Sequence, residues 1–203
     1  MENTVRLLKR IGFSSTTYLE AVALLYGDDG SIVNVVPLGF KLRDGYIVSK
    51  VYRGGRTYEA IVGNLVRSGC ICITQDARLF YLSIFEKDRA IKLFTNREDV
   101  CDAIIEFAIE STDSERNSIL MYAKPLAVKI LRRIPRGFTR ASASIIEALV
   151  WLTKIPYTSK KKRAELVKHI ELCLESIHRS SRSKIYRSIA RKIHIKMQKY
   201  INA

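Results

Sequence analysis

The sequence predicts an α+β protein with a β-rich N-terminal domain, residues 1–135, and a helical C-terminal domain, residues 136–203. In the first part, short apolar runs rich in β-branched residues are separated by Gly and Asp-Gly turn signals, which is typical of antiparallel strands. In the last part, apolar residues recur at helical spacing between polar and basic residues, which indicates amphipathic helices.

Three consecutive strands are predicted near the N-terminus, over residues 17–26, 31–42 and 46–52. The stretch Gly27-Asp28-Asp29-Gly30 marks the first hairpin, and Asp44-Gly45 marks the second. Pro37 interrupts the second strand, and because proline cannot donate to a ladder we expect a sheet edge or a bulge there. Three such strands in series indicate a meander or a barrel.

The middle of the chain mixes helical and strand patterns. A helix is predicted over residues 57–67 with Gly69 as its stop signal, and a strand over residues 70–74. Residues 79–85 are compatible with either a strand or a helix. The remaining predictions are a strand over residues 90–94, a helix over residues 97–110 and a strand over residues 119–134, interrupted by Pro125.

Three helices are predicted in the C-terminal domain, over residues 140–154, 159–178 and 184–200. This domain is strongly basic. The chain has a formal net charge of +15, and residues 132–203 hold 18 of its 35 Lys and Arg residues but only 4 of its 20 Asp and Glu residues. Such a segment is typical of binding to nucleic acid, an anionic ligand or an acidic protein surface.

Several classes of protein are disfavoured. No apolar run reaches the roughly 18 residues of a membrane-spanning helix, and the N-terminus lacks the apolar core of a signal peptide, so we expect a cytoplasmic protein without a membrane partner. The four cysteines show no CxxC spacing and are expected to be buried, reduced thiols. The three histidines are too far apart in the sequence to predict a metal site.

The segment Arg53-Gly54-Gly55-Arg56-Thr57 joins a predicted strand to a predicted helix. Its glycines let backbone N–H groups approach an anion, its arginines suit phosphate, and Thr57 adds a hydroxyl group. Spacing alone leaves two interpretations open, a phosphate site and a capped helix with solvated arginines. Walker and Rossmann glycine patterns are absent, which disfavours nucleoside triphosphates and NAD.

Several stretches of the sequence, taken in order, resemble one known family. They are EAVALLYGDDG, NVVPLG, GGRTYEAI, CICITQD and RGFTRASASIIEALVWLTK. Over roughly residues 14–180 the chain resembles the domain of unknown function 447 family, which consists mostly of archaeal flavoproteins. The resemblance implies an N-terminal FMN-binding split β-barrel, similar to flavin reductases, with a C-terminal helical domain. It also implies a homodimer with FMN near the subunit interface.

The resemblance also assigns the residues that bind the cofactor. The predicted set is Asn34, Pro37, Leu38, Gly39, Arg56, Thr57 and Thr74. The first four match the strand whose backbone lies along the flavin ring, the next two match the turn that holds the phosphate, and the last matches a position near the cofactor on the following strand. No catalytic side chain and no metal ligand is assigned.

The chain departs from the family pattern near the phosphate turn. Gly55 stands where a serine is common, and Ala60-Ile61 stands where Asn-Leu is usual. Each lost hydrogen bond costs about 1 kcal/mol of binding free energy, so we expect either weak FMN binding or a site that has shifted toward another ligand. The residues that match the helical signature, without an assigned role, are Gly137, Phe138, Arg140 and Glu147.

Two functions are therefore predicted. The first is an FMN-binding flavoprotein, a flavin-dependent oxidoreductase of unknown substrate, in which the flavin carries the redox chemistry. The alternative is a protein that binds nucleic acid or an acidic partner through its basic C-terminal helices.

Overall fold

Six antiparallel strands close into a barrel in the order β1-β2-β3-β6-β5-β4 among the residues that the structure describes. Their bounds are β1 (Leu19–Tyr26), β2 (Ile32–Arg43), β3 (Tyr46–Tyr52), β4 (Ser68–Ile73), β5 (Ala103–Glu115) and β6 (Ser118–Ile130). The structure is a computed structural model and describes residues 2–16, 18–132, 140–181 and 183–201. The barrel confirms the predicted antiparallel strands and the α+β class.

Turn chemistry fixes the two N-terminal hairpins. Asp29 Oδ1 accepts hydrogen bonds from the backbone N–H of Ser31 at 2.9 Å and from its hydroxyl group at 2.6 Å. Asp44 and Gly45 have φ values of 50° and 85°, as a two-residue turn between twisted strands requires. Both hairpins were predicted at these positions.

Alternate residues of each strand point into the barrel and form its core. The largest of these fully buried side chains are Leu25, Phe40, Ile47, Ile71, Ile105, Phe107, Ile119 and Met121. Leu8 of helix α1 (Glu2–Ile11) joins the same core. Burying one such side chain contributes about 1.5–3 kcal/mol to the free energy of folding, so the core dominates the stability of this unit.

Pro37 lies at an open sheet edge, as predicted. β3 pairs with β2 only from Phe40 to Arg43, whereas β1 pairs with it from Ile32 to Phe40. On one side, residues 33–39 of β2 therefore have no neighbouring strand in the described part of the chain. A residue without a backbone N–H is tolerated at such an edge.

The predictions for the middle of the chain contain three errors. Residues 90–94 lie in a helix, α4 (Lys87–Thr95), with Ala90 and Phe94 buried one turn apart. Residues 97–110 form the short helix α5 (Arg97–Val100) and then β5, whose first three residues are all buried. A strand buried on both faces lacks the polar alternation that distinguishes it from a helix.

The third error concerns a helix end. Helix α2 (Arg56–Val62) ends at Gly63, whose N–H bonds to Glu59 O, and Asn64 then takes a left-handed φ of 55°. Gly69 lies instead inside β4, where an added Cβ would be 2.4 Å from Leu24 O and 2.7 Å from the Phe107 ring. The absence of a side chain at Gly69 lets β4 pack closely against Leu24 of β1 and Phe107 of β5. The ambiguous residues 79–85 belong to helix α3 (Ala77–Phe85).

Two cysteines form a disulfide, so the prediction of reduced thiols is wrong for them. Cys72 and Cys101 are bonded, fully buried, and have Cα atoms 5.3 Å apart. Cys72 pairs with Ile104 in the β4–β5 ladder, and the backbone N–H of Asp102, which donates to Ile73 O at 2.7 Å, holds the chain at the neighbouring Cys101 close to β4. Cys70 and Cys173 are free.

The three predicted C-terminal helices are confirmed as α6 (Arg140–Lys154), α7 (Lys160–Ser180) and α8 (Lys184–Ile201). Their facing apolar residues include Ile145, Ile170, Ile177, Ile193 and Met197, all buried. The segment 75–81 groups with them, and the Ser142 hydroxyl donates to Gln75 O at 2.6 Å. None of the described helices is long and apolar enough to cross a membrane.

The chain divides into two compact units. The barrel unit is Met1–Thr74 with Leu82–Pro135, and the helical unit is Gln75–Tyr81 with Arg136–Ala203. The division between residues 135 and 136 falls within residues 133–139, outside the described part, and remains a proposed domain boundary. Gly137, Phe138 and the side chain of Arg140 also lie outside the described residues.

Candidate functional site

The candidate site lies where β3 leads into α2. Gly54, with a φ of 85°, turns the chain, and Gly55 is the N-cap residue of α2 without a capping side chain. Arg56 is the first helical residue and is exposed, whereas Thr57 is only 6% exposed. Thr57 therefore does not cap the helix, and its hydroxyl group is used elsewhere.

Thr57 is hydrogen-bonded to Asn34 on β2. The Asn34 side chain, 3% exposed, donates from Nδ2 to Thr57 Oγ1 at 2.8 Å. A hydroxyl group that accepts this bond still has its own proton to donate to a further acceptor. Because both partners are buried, the interaction fixes the position of the Thr57 hydroxyl group relative to β2.

Lys87 completes this hydrogen-bonded group. Lys87 lies at the start of α4, and its Nζ donates to Asn34 Oδ1 and, at 3.3 Å, to Val35 O. Asn34 therefore accepts from Lys87 and donates to Thr57, which defines the orientation of its amide. The three side chains come from β2, α2 and α4, so the barrel must be assembled before they meet.

Two cations converge at this group. Burial lowers the pKa of Lys87 below its usual range, and the nearby Arg56 guanidinium lowers it further. Both causes disfavour the protonated ammonium group. An anion bound beside Lys87 and Arg56 would offset both, because it attracts each charge and reduces their mutual repulsion. A phosphate suits this donor set of an ammonium, a guanidinium and a hydroxyl group.

The other predicted residues lie elsewhere on the same barrel. Pro37, Leu38 and Gly39 continue along β2 from Asn34 and are half-buried. Thr74 follows the end of β4, is buried, and is separated from β2 by the intervening strand β1. The structure thus brings Asn34 and Thr57 together beside Arg56, and it places Thr74 after the end of a different strand, β4.

The two departures from the family pattern have different environments. A Cβ added at Gly55 would meet no atom within 4 Å, so the N-cap position has room for a serine. Ala60 is 5% exposed and belongs to the barrel core. Of these two positions, Gly55 is therefore the one with open space for a larger side chain.

Sequence reasoning missed Lys87. It is 53 residues from Asn34, in a region that carries no recognised sequence motif. Its neighbours in the sequence alternate in charge like an ordinary exposed helix, so no sequence signal singles it out. Only the packing of α4 against β2 places its ammonium group beside the Asn34 side chain.

Comparison with known families now identifies the chain. The family model described as "Protein of unknown function (DUF447) N-terminal domain" matches residues 24–132. The chain belongs to the DUF447 family. This confirms the resemblance inferred from the ordered sequence motifs. A comparison with curated proteins found no match.

Solved structures include another member of the DUF447 family. The chain is similar to the FMN-bound DUF447 protein from Methanosarcina mazei, with 16% identity and a TM-score of 0.72 over 93% of this chain and 99% of that chain. This likeness confirms the predicted fold. Flavin reductase HpaC, solved with NADP+, has 12% identity and a TM-score of 0.45 over 66% of this chain and 90% of that chain.

Proposed function

We propose that this DUF447 chain binds FMN and holds the FMN phosphate with Arg56, Thr57 and Lys87. The observation that carries the proposal is the convergence of two cations on a buried, hydrogen-bonded pair of polar side chains. The FMN-bound state of the Methanosarcina mazei family member supports the same ligand. The donor set fits a phosphate because it offers charge and hydrogen bonds together.

The open edge of β2 supports a place for the flavin ring. Residues 33–39 lie in the part of β2 that β3 does not cover, so backbone groups there, apart from the Val35 carbonyl that accepts from Lys87, are available to a planar ligand. The proposed cofactor-binding set therefore keeps Asn34, Pro37, Leu38 and Gly39 together with the phosphate residues, and it includes Thr74 beyond β4.

The proposal extends to a flavin-dependent oxidoreductase. Bound FMN would supply the capacity to accept and donate electrons. The residues of this chain bind and orient the phosphate, and burial of Asn34 and Thr57 keeps that end of the site rigid. Oxidoreductase activity is tested by measuring consumption of NADH or NADPH in the presence of FMN and oxygen. Absence of turnover with both donors would limit the function to FMN binding.

A homodimer with FMN near the subunit interface is part of the same proposal. Val62 and Leu65, at the end of α2, are 52% and 63% exposed. Contact with a partner subunit would remove these apolar side chains from water. Light scattering after size exclusion tests this point, and a monomer at all concentrations with FMN present would contradict it.

The test of FMN binding compares fluorescence titrations with FMN and with riboflavin. FMN and riboflavin share the ring, but only FMN carries the phosphate. We expect the wild-type protein to quench FMN fluorescence on titration and to bind riboflavin more weakly. The Arg56→Ala, Thr57→Ala double variant should lose the preference for FMN, whereas Lys92→Ala, an exposed change on α4, should keep it.

Two results would contradict the proposal. One is a colourless protein whose addition does not quench FMN fluorescence. The other is equal affinity for FMN and riboflavin in the wild-type protein, because a phosphate site must distinguish them.

A further inference from the structure

The helical unit contains an open groove between α7 and α8. Its volume is about 510 Å³, and its polar lining consists of Glu171 and His178 from α7 and Arg187, Arg191 and His194 from α8. We call this lining the basic groove. Two guanidinium groups and two imidazoles thus face one carboxylate, which makes the groove suited to an anion.

The two arginines of the basic groove are placed to act together. Arg187 and Arg191 are four residues apart on α8, so they share a helix face about 6 Å apart along its axis. Both are exposed. Arg187 Nε donates to Ser181 O at 3.4 Å, which holds this guanidinium near the turn between α7 and α8. By contrast, Arg179 forms an ion pair with Glu175 at 2.5 Å.

The positive charge continues beyond the basic groove along the whole of α8. The described helix has 18 residues and no acidic residue, and its basic side chains are Lys184, Arg187, Arg191, Lys192, Lys196 and Lys199. A helix of this length spans about 27 Å. A mononucleotide would contact the basic groove alone, whereas an extended polyanion can also contact Lys184, which is exposed and lies three residues before Arg187 on the same face of α8.

We infer that the basic groove and α8 bind the phosphate backbone of a nucleic acid. Among the described residues, the lining of the basic groove holds arginine and imidazole donors for phosphate oxygens and no Phe, Tyr or Trp ring on which bases would stack. The binding is therefore independent of base sequence and sensitive to salt. This site is separate from the proposed FMN site, whose residues all lie in the barrel unit.

The test measures binding of the full-length protein to a fluorescein-labelled single-stranded oligonucleotide of about 16 nucleotides by fluorescence anisotropy at several salt concentrations. The Arg187→Gln, Arg191→Gln variant should bind about tenfold more weakly at low salt. The magnitude of its slope of log K against log salt should be smaller by about 1.4, because two phosphate contacts to a single strand are lost.

The matched control is Arg6→Gln, Arg10→Gln. These two arginines are also exposed and four residues apart, but they lie on α1 in the barrel unit. The control removes the same charge and should leave affinity and slope unchanged. Equal losses in the two double variants would overturn the inference, because net charge alone would then explain binding.

A second variant strengthens rather than weakens the site. Glu171→Gln removes the carboxylate of the basic groove and should tighten oligonucleotide binding about twofold to fivefold, a gain that misfolding cannot produce. Unchanged or weaker binding would overturn the inference. Competition experiments with unlabelled AMP and unlabelled polyglutamate give a further check. If either competes as well per unit charge as unlabelled oligonucleotide, the inference is overturned, because the occupant would then be a free nucleotide or an acidic protein.

Discussion

The barrel site and the basic groove both gather cations, but they differ in how those cations are held. In the barrel, Lys87 is half-buried and donates to Asn34, which in turn donates to the buried Thr57. In the basic groove, Arg187 and Arg191 are exposed. Buried, hydrogen-bonded charges are positioned for one ligand geometry, whereas exposed charges attract any polyanion. The difference separates a specific site from a non-specific surface.

The largest expected difference between the two sites is in how their ligand affinities depend on salt concentration. If a single strand contacts four cations of the basic groove and α8, its affinity should fall about 50-fold between 50 and 200 mM salt. FMN affinity should change less, because Lys87 is half-buried and partly shielded from solvent ions, although Arg56 is exposed. Parallel titrations of oligonucleotide and FMN at each salt concentration measure both effects. Equal salt dependence would remove the distinction drawn between the sites.

Removal of the Lys87 ammonium group is expected to give the next largest effect. Lys87→Ala removes a charge-assisted hydrogen bond, worth about 1.5–3 kcal/mol, and should weaken FMN binding about 10- to 100-fold. Lys92→Ala on the same helix is the matched control and should bind FMN normally. Fluorescence titration gives both dissociation constants. If Lys87→Ala retained wild-type affinity, Lys87 would have no role in holding the phosphate.

The pH dependence of FMN binding follows from the lowered pKa of Lys87. Burial and then Arg56 lower this pKa in the free protein, and a bound phosphate would raise it, so the complex holds the proton more tightly. FMN affinity should therefore be full below the lowered pKa of Lys87 and fall, up to about tenfold, as the pH rises from that pKa to the higher pKa of the complex. Lys87→Gln should show a flatter profile between pH 7 and 10.

The free energy of unfolding should move in the opposite direction in the same window. Without a ligand, the folded chain holds the Lys87 proton more weakly than the unfolded chain, whose lysine titrates near 10.5. Stability without FMN should therefore rise as the pH increases from the lowered pKa towards 10.5. Urea unfolding of wild type and Lys87→Gln at each pH measures this contribution, and identical slopes for the two proteins would contradict it.

The smallest predicted effect is a gain of affinity at Gly55. Gly55→Ser places a hydroxyl group at the open N-cap position of α2 and should tighten FMN binding about fivefold, the equivalent of about 1 kcal/mol. Gly54→Ser is the control, because a φ of 85° makes any side chain there strained. Weaker FMN binding by Gly55→Ser would show that the departure from the family pattern has another cause.

The sequence predicted elements best where one face of an element is polar. The hairpins at residues 27–30 and 44–45 and the three C-terminal helices were predicted because turn residues and apolar periodicity agree. Prediction failed at the start of β5 and left α3 open, and in both places consecutive residues are buried; it also failed at residues 90–94 of α4, a helix with a polar face. Burial on all sides removes the periodic signal that distinguishes a strand from a helix.

The sequence by itself determined the α+β class, the family and the concentration of charge in the last third of the chain, because these depend on composition, local spacing and ordered motifs. Only the tertiary structure decided that Lys87 joins Asn34 and Thr57, that Cys72 meets Cys101, and that Arg187 and Arg191 line one groove with His178. These groupings join residues from different elements, and only packing sets which side chains meet.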